Sequence, residues 1–199
     1  MSPQNTQPTP QYALFPTALG PCAIAWRGDV VVATQLPEEG KAATAARLAR
    51  RAGAVEGAPP LCIQQAIAAI TALLDGEKID LNDIVCDFSP VDAFSVQVYA
   101  VTRAIAVGET LTYGDIAVKL GDKRLAQRVG QALGRNPLPI IVPCHRVMGA
   151  NAKLTGFSAG GGVATKLKIL AIEGAQVGGP PGLFDDLPLA IRPSGGAKP

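Results

Sequence analysis

Residues 111–137 read LTYGDIAVKLGDKRLAQRVGQALGRNP and contain two short amphipathic segments separated by a glycine. Thr112 can cap a helix over residues 115–120, which Gly121 ends, and a second helix is expected over residues 123–133. Two short helices joined by a tight glycine turn, the second of them basic, are typical of a helix-turn-helix. The sequence therefore predicts a DNA-binding motif in this half of the chain.

Apolar periodicity continues on both sides of this motif. Residues 94–107 place apolar side chains at helical spacing, and residues 163–174 (VATKLKILAIEG) form another amphipathic segment. Between them, residues 138–143 (LPIIVP) are a short strand-like run that ends in proline. The sequence predicts a mainly helical, winged-helix-like carboxy-terminal domain.

The amino-terminal half has a different pattern, in which strands and helices alternate. Residues 22–36 are rich in β-branched side chains around an Arg-Gly-Asp turn and predict a hairpin. Residues 41–54 and 63–76 predict two helices, and residues 78–88 return to strand-like alternation. The fold class is therefore α/β. The predicted boundaries are a loose tail at residues 1–12, a small α/β support domain at 13–88, a carboxy-terminal domain at 91–175 and a flexible tail at 176–199.

Composition restricts the class of protein. Of the 199 residues, 48% are hydrophobic and 17% are charged, and this balance argues against intrinsic disorder. No run approaches the roughly 18 uninterrupted apolar residues that a membrane span needs. The first residues also lack the basic and apolar regions of a secretory signal. We therefore expect a cytoplasmic protein with no membrane association.

Charge is unevenly distributed along the chain. Residues 1–90 carry six basic and nine acidic side chains, whereas residues 91–199 carry twelve basic and seven acidic ones. From Lys119 to Arg146, six basic side chains stand against Asp122 alone. This balance favours a support domain joined to a domain that binds a polyanion, although a patch of this size also fits ordinary solvated surface.

The four cysteines, at positions 22, 62, 86 and 144, lie far apart and form no C-x-x-C pair. A zinc site needs clustered cysteine and histidine ligands, and the chain has a single histidine. We therefore expect no metal, no cofactor and free thiols in a reducing compartment.

The single histidine lies directly after Cys144 in the segment NPLPIIVPCHRV (residues 136–147). A thiol with a pKa of about 8.5 needs a base or a positive field to act as a nucleophile, which His145 and Arg146 can supply. Because neighbouring side chains diverge, His145 would reach the thiol through a water molecule, with Glu173 as a candidate to orient the imidazole. The alternative is a core cysteine beside a surface histidine, with Glu173 at a solvated helix end.

Three features together make the chain resemble the O6-alkylguanine-DNA alkyltransferases, also called methylated-DNA–protein-cysteine methyltransferases. They are PCHRV after NPLPIIV, TYGDIA upstream of it, and GF…K…LAIEG downstream. The resemblance covers residues 94–174 most closely and implies a ribonuclease H-like amino-terminal domain. It implies a DNA repair protein that flips O6-alkylguanine out of the duplex and transfers the alkyl group irreversibly to its own cysteine. It leaves open whether O4-alkylthymine is accepted.

The resemblance also implies roles for individual residues. Cys144 is implied to be the alkyl acceptor, His145 the water-linked base and Glu173 its carboxylate partner. Tyr113 is implied to donate a proton to the leaving guanine, and Asn136 to order the turn around the cysteine. The residues implied to line the base pocket are Val147, Phe157, Ser158 and Pro139.

Double-stranded DNA is the implied partner, bound by a monomer through the minor groove without sequence preference. In the family an arginine usually fills the gap left by the flipped base, and Gln127 stands at that position here. Arg128 lies about 100° further around the helix and cannot simply replace it. We therefore expect weaker DNA binding or slower flipping without loss of activity. The implied DNA contacts are Thr112, Lys123, Arg124, Gln127, Arg128, Gly130 and Arg135.

Two other classes of function fit parts of the pattern. A non-enzymatic damage-binding or regulatory protein would use the same helix-turn-helix, but relatives that bind without transfer typically lack the cysteine. A Cys-His hydrolase on another fold has no separate base at triad spacing in this sequence. That reading also leaves the helix-turn-helix unexplained.

Overall fold

The amino-terminal half is built on a four-stranded sheet. The computed structural model describes residues 8–150 and 161–175. The strands are β1 (Gln11–Thr17), β2 (Gly20–Arg27), β3 (Val30–Gln35) and β4 (Val55–Glu56). The strand order is β3-β2-β1-β4, in which β1, β2 and β3 are antiparallel neighbours and β4 is parallel to β1. The hairpin predicted over residues 22–36 is present as β2 and β3.

Strand β1 reaches into the segment predicted to be a tail. Gln11 and Tyr12 pair with β2 on one side and with β4 on the other. The carbonyl of Pro10 accepts a hydrogen bond of 3.0 Å from the backbone N–H of Val55. The tail predicted for residues 1–12 therefore ends earlier than expected, because its last residues complete the sheet. Residues 1–7 and the predicted tail at 176–199 lie outside the described residues.

Two helices cover the two faces of this sheet. Helix α1 (Lys41–Ala52) buries Leu48 against Ala23 and Ala25 of β2. Helix α2 (Leu61–Leu74) contributes to a larger core on the opposite face. Because alternate residues of a strand point to opposite faces, β2 supplies small side chains to one helix and large ones to the other. The large side chains of β2 in this core are Cys22, Ile24 and Trp26.

Residues 78–88 do not form the predicted strand. The Asp80 carboxylate accepts a 2.7 Å hydrogen bond from the N–H of Asn82, and a backbone turn follows. Within this described segment, Cys86 alone makes a strand-like contact, a parallel bridge to Val31 of β3. Side chains of Asp and Asn that bond to nearby backbone compete with a strand ladder, which explains the difference.

The carboxy-terminal half is mainly helical. Its helices are α3 (Ala93–Arg103), α4 (Tyr113–Lys119), α5 (Ala126–Gly134) and α6 (Gly162–Ile172). The predicted helix-turn-helix is formed by α4 and α5, with a 3-10 turn (Lys123–Leu125) at the start of the second segment. Helix α3 ends at Arg103, earlier than predicted, because the N–H of Ile105 donates to the carbonyl of Thr102 in a tighter turn.

The first helix of the motif begins at a reciprocal cap. The Thr112 hydroxyl accepts a 3.0 Å hydrogen bond from the N–H of Asp115, whose carboxylate accepts one of 2.7 Å from the N–H of Thr112. This capping box satisfies two donors that a helix start otherwise leaves free. Gly121, at φ +97°, ends the helix in a conformation that glycine adopts without strain. The local sequence therefore fixes both ends of α4.

A single apolar core runs through both halves of the chain. Phe15, Trp26 and Ile70 belong to the same buried cluster as Ile116 and Ile169. No helix among the described residues is long and apolar enough to cross a membrane. The predicted division at residues 89–90 thus separates two halves of one core.

We expect Ile116→Val in α4 to lower the free energy of unfolding by about 1 kcal/mol, because it removes a fully buried methylene. Trp26, the single tryptophan, is buried in the amino-terminal half and reports unfolding by fluorescence. Urea midpoints from Trp26 fluorescence and from circular dichroism should shift together. Val118→Ala, at an exposed position of the same helix, is the control. An unchanged fluorescence midpoint in Ile116→Val would mean that the two halves unfold independently.

Candidate active site

The run at residues 138–143 is a tight turn and not the predicted strand. We call residues 136–146, which contain this turn and Cys144, the cysteine turn. The N–H of Val142 donates to the carbonyl of Leu138 at 2.8 Å, and Ile140 has a φ of +76°. The two prolines in this run lack N–H donors, so the segment cannot complete a strand ladder. A β-branched residue rarely adopts a positive φ, so contacts around the turn must hold it in place.

One side chain closes this turn from within. The Asn136 side-chain amide donates to the carbonyl of Val142 at 2.9 Å, and its oxygen accepts from the N–H of Leu138 at 2.9 Å. Asn136 is itself buried, with 9% of its surface exposed. Asn136 was predicted to order this turn, and the structure places it where it can do so.

Cys144 follows the turn as the first residue of a 3-10 turn (Cys144–Arg146) and is half-buried. Burial raises the pKa of its thiol, while a hydrogen bond from Asn136 and the charge of Lys166 act in the opposite direction. A raised pKa leaves the thiol protonated at neutral pH, so reaction requires a base.

The residue after Cys144 is a fully buried histidine, the candidate base. His145 Nε2 lies 3.0 Å from Oε1 of Glu173, and neither side chain is exposed. Burial lowers the pKa of His145 below its ordinary value, which keeps the imidazole neutral. Glu173 is an ionised acceptor, so Nε2 carries the proton and Nδ1 keeps a free lone pair. Among the described atoms, Nδ1 has no hydrogen-bond partner.

Arg146 supports this pair in a way that the sequence did not indicate. Its Nε and Nη2 donate to the two oxygens of Glu173 at 2.9 and 2.7 Å, and Nη1 donates to the carbonyl of Ile105 at 2.6 Å. Burial alone would raise the pKa of Glu173, but hydrogen bonds from His145 and Arg146 outweigh it and hold that pKa at about 2. The guanidinium was expected to act on the thiol, and it binds the carboxylate instead.

Lys166 is a second charged residue that sequence reasoning missed. Its side chain is fully buried, and Nζ donates to the carbonyl of Val147 at 2.5 Å. Burial lowers the pKa of Lys166, and the nearby Cys144 acts to raise it. A signal was present, because Lys166 and Glu173 are seven residues apart on the face of α6 that also buries Ile169 and Leu170.

A short parallel sheet brings Tyr113 to the same region. Strand β5 (Leu111–Thr112) pairs with β6 (Val147–Met148), directly after the cysteine turn, and α4 begins at Tyr113. The Tyr113 ring lies beside Gly130 of α5. A Cβ atom built on Gly130 would lie 3.8 Å from the nearest carbon atoms of that ring. The structure therefore places Tyr113 between the cysteine turn and the second helix of the motif.

The predicted DNA-contacting residues have different surroundings. Gln127 and Arg135 are exposed, as is Lys123. The Arg128 guanidinium stacks 3.9 Å from the centre of the Phe94 ring, and Arg124 pairs with Asp122 at 2.9 Å. These two arginines thus have intramolecular partners that DNA would have to share or displace.

The proposed pocket residues are only partly described. Val147 is buried, and Pro139 is buried with its carbonyl accepting from Thr34 at 2.7 Å. Phe157 and Ser158 lie outside the described residues. Among the described residues, no group of His, Cys, Asp or Glu could hold a metal ion.

The sequence model of the 6-O-methylguanine DNA methyltransferase DNA-binding domain matches residues 93–175. The methylated-DNA–protein-cysteine methyltransferase of Mycobacterium bovis is 33% identical over 174 residues, which cover 87% of this chain and 98% of the relative. The chain belongs to this methyltransferase family. The resemblance stated from the sequence is thereby confirmed.

Solved structures of the methyltransferase family share the fold. The O6-methylguanine methyltransferase of Mycobacterium tuberculosis is 32% identical with a TM-score of 0.69, covering 83% of this chain and 93% of that one. OGT of the same organism, crystallised in complex with DNA, is 32% identical with a TM-score of 0.67, covering 82% and 92%. The predicted fold class, a small α/β half and a helical half with a helix-turn-helix, is confirmed.

Because His145 is buried in its neutral form, we expect the stability of the folded protein to depend on pH. The folded pKa lies below the ordinary value of 6.5, so the unfolded chain binds more protons as pH falls below 6.5. Stability present above pH 6.5 should therefore be lost on acidification, by up to about 1.4 kcal/mol per pH unit. Glu173, Arg146 and Lys166 are the charged groups that act on this imidazole. Urea unfolding at about pH 7.5 and at about pH 5, on either side of the ordinary imidazole pKa, measures the loss.

His145→Gln is the matched control, because His145 is the single histidine of the chain. The variant should be less stable at neutral pH but should show a flat profile over this range. An equal slope in both proteins would show that His145 does not titrate differently in the folded and unfolded states.

Proposed function

We propose that the protein repairs DNA by transferring the alkyl group of O6-alkylguanine to Cys144, once per molecule. The observation that carries this proposal is the buried His145–Glu173 pair directly after the half-buried Cys144. The names of the relatives, methylated-DNA–protein-cysteine methyltransferases, support the same chemistry. A regulatory protein that binds damage without transfer is not favoured, since the nucleophile and its base are both present.

The proposed reaction is a displacement at the alkyl carbon. The Cys144 thiol gives its proton through a water molecule to Nδ1 of His145, and the sulfur attacks the alkyl carbon. The bond from that carbon to O6 breaks, and its electron pair stays on the base. Tyr113 donates its hydroxyl proton to a ring nitrogen of the leaving guanine. The proton held by His145 then returns through solvent to the Tyr113 oxygen. The products are guanine and a stable thioether, so Cys144 is not regenerated.

The buried charges suit this proton transfer. When His145 takes up the thiol proton, the adjacent Glu173 carboxylate stabilises the imidazolium without itself becoming protonated. Arg146 keeps that carboxylate ionised and fixes its direction. Lys166 adds positive charge near the sulfur, which favours the thiolate over the thiol. Asn136 holds the turn that presents Cys144.

Double-stranded DNA is the proposed partner, in agreement with the DNA complex of the related OGT. The target oxygen takes part in base pairing, so the nucleotide must leave the stack before a pocket can enclose it. We propose minor-groove binding by a monomer, without sequence preference, through phosphate contacts. The proposed contacts are Thr112, Lys123, Arg124, Gln127, Arg128, Gly130 and Arg135. The proposed pocket residues are Val147, Phe157, Ser158 and Pro139.

The proposed domain roles follow the predicted boundaries. Residues 91–175 would bind DNA and carry out transfer, and the match of the family's DNA-binding domain to residues 93–175 supports this division. Residues 13–88, the ribonuclease H-like part, would support them. We also propose a cytoplasmic location, because reducing conditions there keep the Cys144 thiol available.

Intact-protein mass spectrometry tests the proposed reaction. Equimolar protein and a duplex with one O6-methylguanine should give a protein heavier by one methylene unit, because methyl replaces the thiol hydrogen. Cys144→Ser should stay unmodified. Cys62→Ser, which removes another partly exposed thiol, should react like the wild type. An unmodified wild-type protein that still binds the lesion would refute transfer in favour of damage binding.

The glutamine at the intercalating position gives a second test. We expect Gln127→Arg to raise the transfer rate at limiting DNA by about three- to tenfold, or ~1 kcal/mol, because arginine fills the vacated stack better than glutamine. Gln131→Arg is the control. It adds the same charge to the exposed surface of α5, four residues after Gln127 and away from the intercalating position. An equal gain in transfer rate in both variants would assign the effect to the added charge. No gain in Gln127→Arg would refute the proposal that residue 127 fills the gap left by the flipped base.

A further inference from the structure

The outer edge of β3, which bridges to Cys86 at Val31, is also bonded to the turn that leads to Cys144. The backbone N–H of Thr34 donates to the carbonyl of Pro137 at 3.0 Å, and the Thr34 hydroxyl donates to the carbonyl of Pro139 at 2.7 Å. Thr34 is buried, with 5% of its surface exposed. A residue of the amino-terminal sheet therefore holds two alternate carbonyls of the cysteine turn.

A second amino-terminal residue reaches the same turn from α1. Nη2 of Arg51 donates to the carbonyl of Pro137 at 3.0 Å and also to the carbonyl of Thr34. The Pro137 carbonyl thus accepts hydrogen bonds from both residues. We call Thr34 and Arg51, with these four hydrogen bonds, the strap.

The strap acts at the point where the turn is strained. Ile140, which follows the strapped Pro139, is the non-glycine residue with positive φ among the described residues. Such a conformation is strained and persists only where surrounding contacts fix it. Asn136 closes the turn from within, but its bonds join parts of the turn to one another. The strap joins the turn to the rest of the protein.

We propose that Thr34 and Arg51 are positioning residues for alkyl transfer: the amino-terminal half holds the Cys144 turn in its reactive geometry. This inference rests on the proposed function. The sulfur must approach the alkyl carbon in line with the bond that breaks, and a misplacement of about 1 Å can cost a hundredfold in rate. A loosened turn would leave DNA binding intact and slow the transfer step.

The hydroxyl of Thr34 can be removed with little change in shape. Thr34→Val keeps the β-branched side chain but leaves the buried Pro139 carbonyl without its donor. Thr34→Ser keeps the donor and should rescue the rate. Thr44→Val is the matched control, because Thr44 is fully buried in α1 and its hydroxyl donates to the carbonyl of Gly40 at 2.9 Å. It loses this bond and also the one of 3.0 Å that its hydroxyl accepts from the N–H of Glu38, so it perturbs the fold at least as much, away from the cysteine turn.

The charge of Arg51 needs its own control, because α5 and its surroundings are basic and any lost cation weakens DNA binding. Arg51→Met removes the guanidinium and its two bonds. Arg50→Met removes the same charge from the exposed neighbouring position on α1. A difference between these variants in transfer rate then reports the bonds and not the charge.

Two quantities should be measured for each variant, both with the full chain. One is the single-turnover rate of transfer from an O6-methylguanine duplex at saturating protein, and the other is the affinity for the unmodified duplex. We expect Thr34→Val to lower the rate by about tenfold at unchanged affinity, and Arg51→Met by about threefold. Thr34→Ser, Thr44→Val and Arg50→Met should stay within about twofold of the wild-type transfer rate.

An equal fall in transfer rate in Thr34→Val and Thr44→Val would refute the positioning role of the strap, because general destabilisation would explain both losses. So would an equal loss in Thr34→Ser. Hydrogen exchange of the Val142 and Cys144 amides separates this failure from failure of the proposed function. If wild-type protein transfers no alkyl group, the function is wrong, whereas amides that exchange no faster in Thr34→Val than in Thr44→Val refute the strap itself.

Discussion

The carboxylate of Glu173 is the group on which the arrangement of the site depends. It is fully buried and accepts hydrogen bonds from His145 and, at both oxygens, from Arg146. A buried charge with no partner would cost several kcal/mol, so the three side chains must stay together for the protein to fold. They come from the end of α6 and from the turn that begins with Cys144, and Arg146 also bonds to the carbonyl of Ile105 beyond α3. Folding therefore assembles the proposed proton acceptor beside the proposed nucleophile.

The parts of the structure that were predictable from sequence are those with local causes. Thr112 and Asp115 lie three residues apart, so a capping box is visible in the sequence, and Gly121 marks the end of the same helix. The contact between His145 and Glu173 spans 28 residues, and no local pattern joins them. Triad chemistry made Glu173 a candidate partner with a solvated helix end as the alternative, and the resemblance to a family favoured the pairing. The structure brings these two side chains together as expected.

The parts that were missed have tertiary causes. Residues 138–143 have the composition of a strand, but Asn136 and the strap hold them in a turn that no strand pattern indicates. Residues 78–88 alternate like a strand, yet their carboxylate and amide side chains bond to the nearby backbone. Arg146 was expected to act on the thiol and Lys166 was not singled out, because sequence alone does not show that their interior partners are a carboxylate and a backbone carbonyl.

The shared core has a consequence for dividing the chain. The sequence model of the family's DNA-binding domain matches residues 93–175. The apolar core under the helices of this domain, however, also contains Phe15, Trp26 and Ile70 from the amino-terminal half. A fragment cut at this boundary would expose that core to water and lose the sheet edge that supports the cysteine turn. The unit that can be transplanted into another protein, or shortened by engineering, is thus larger than the unit that sequence comparison delimits.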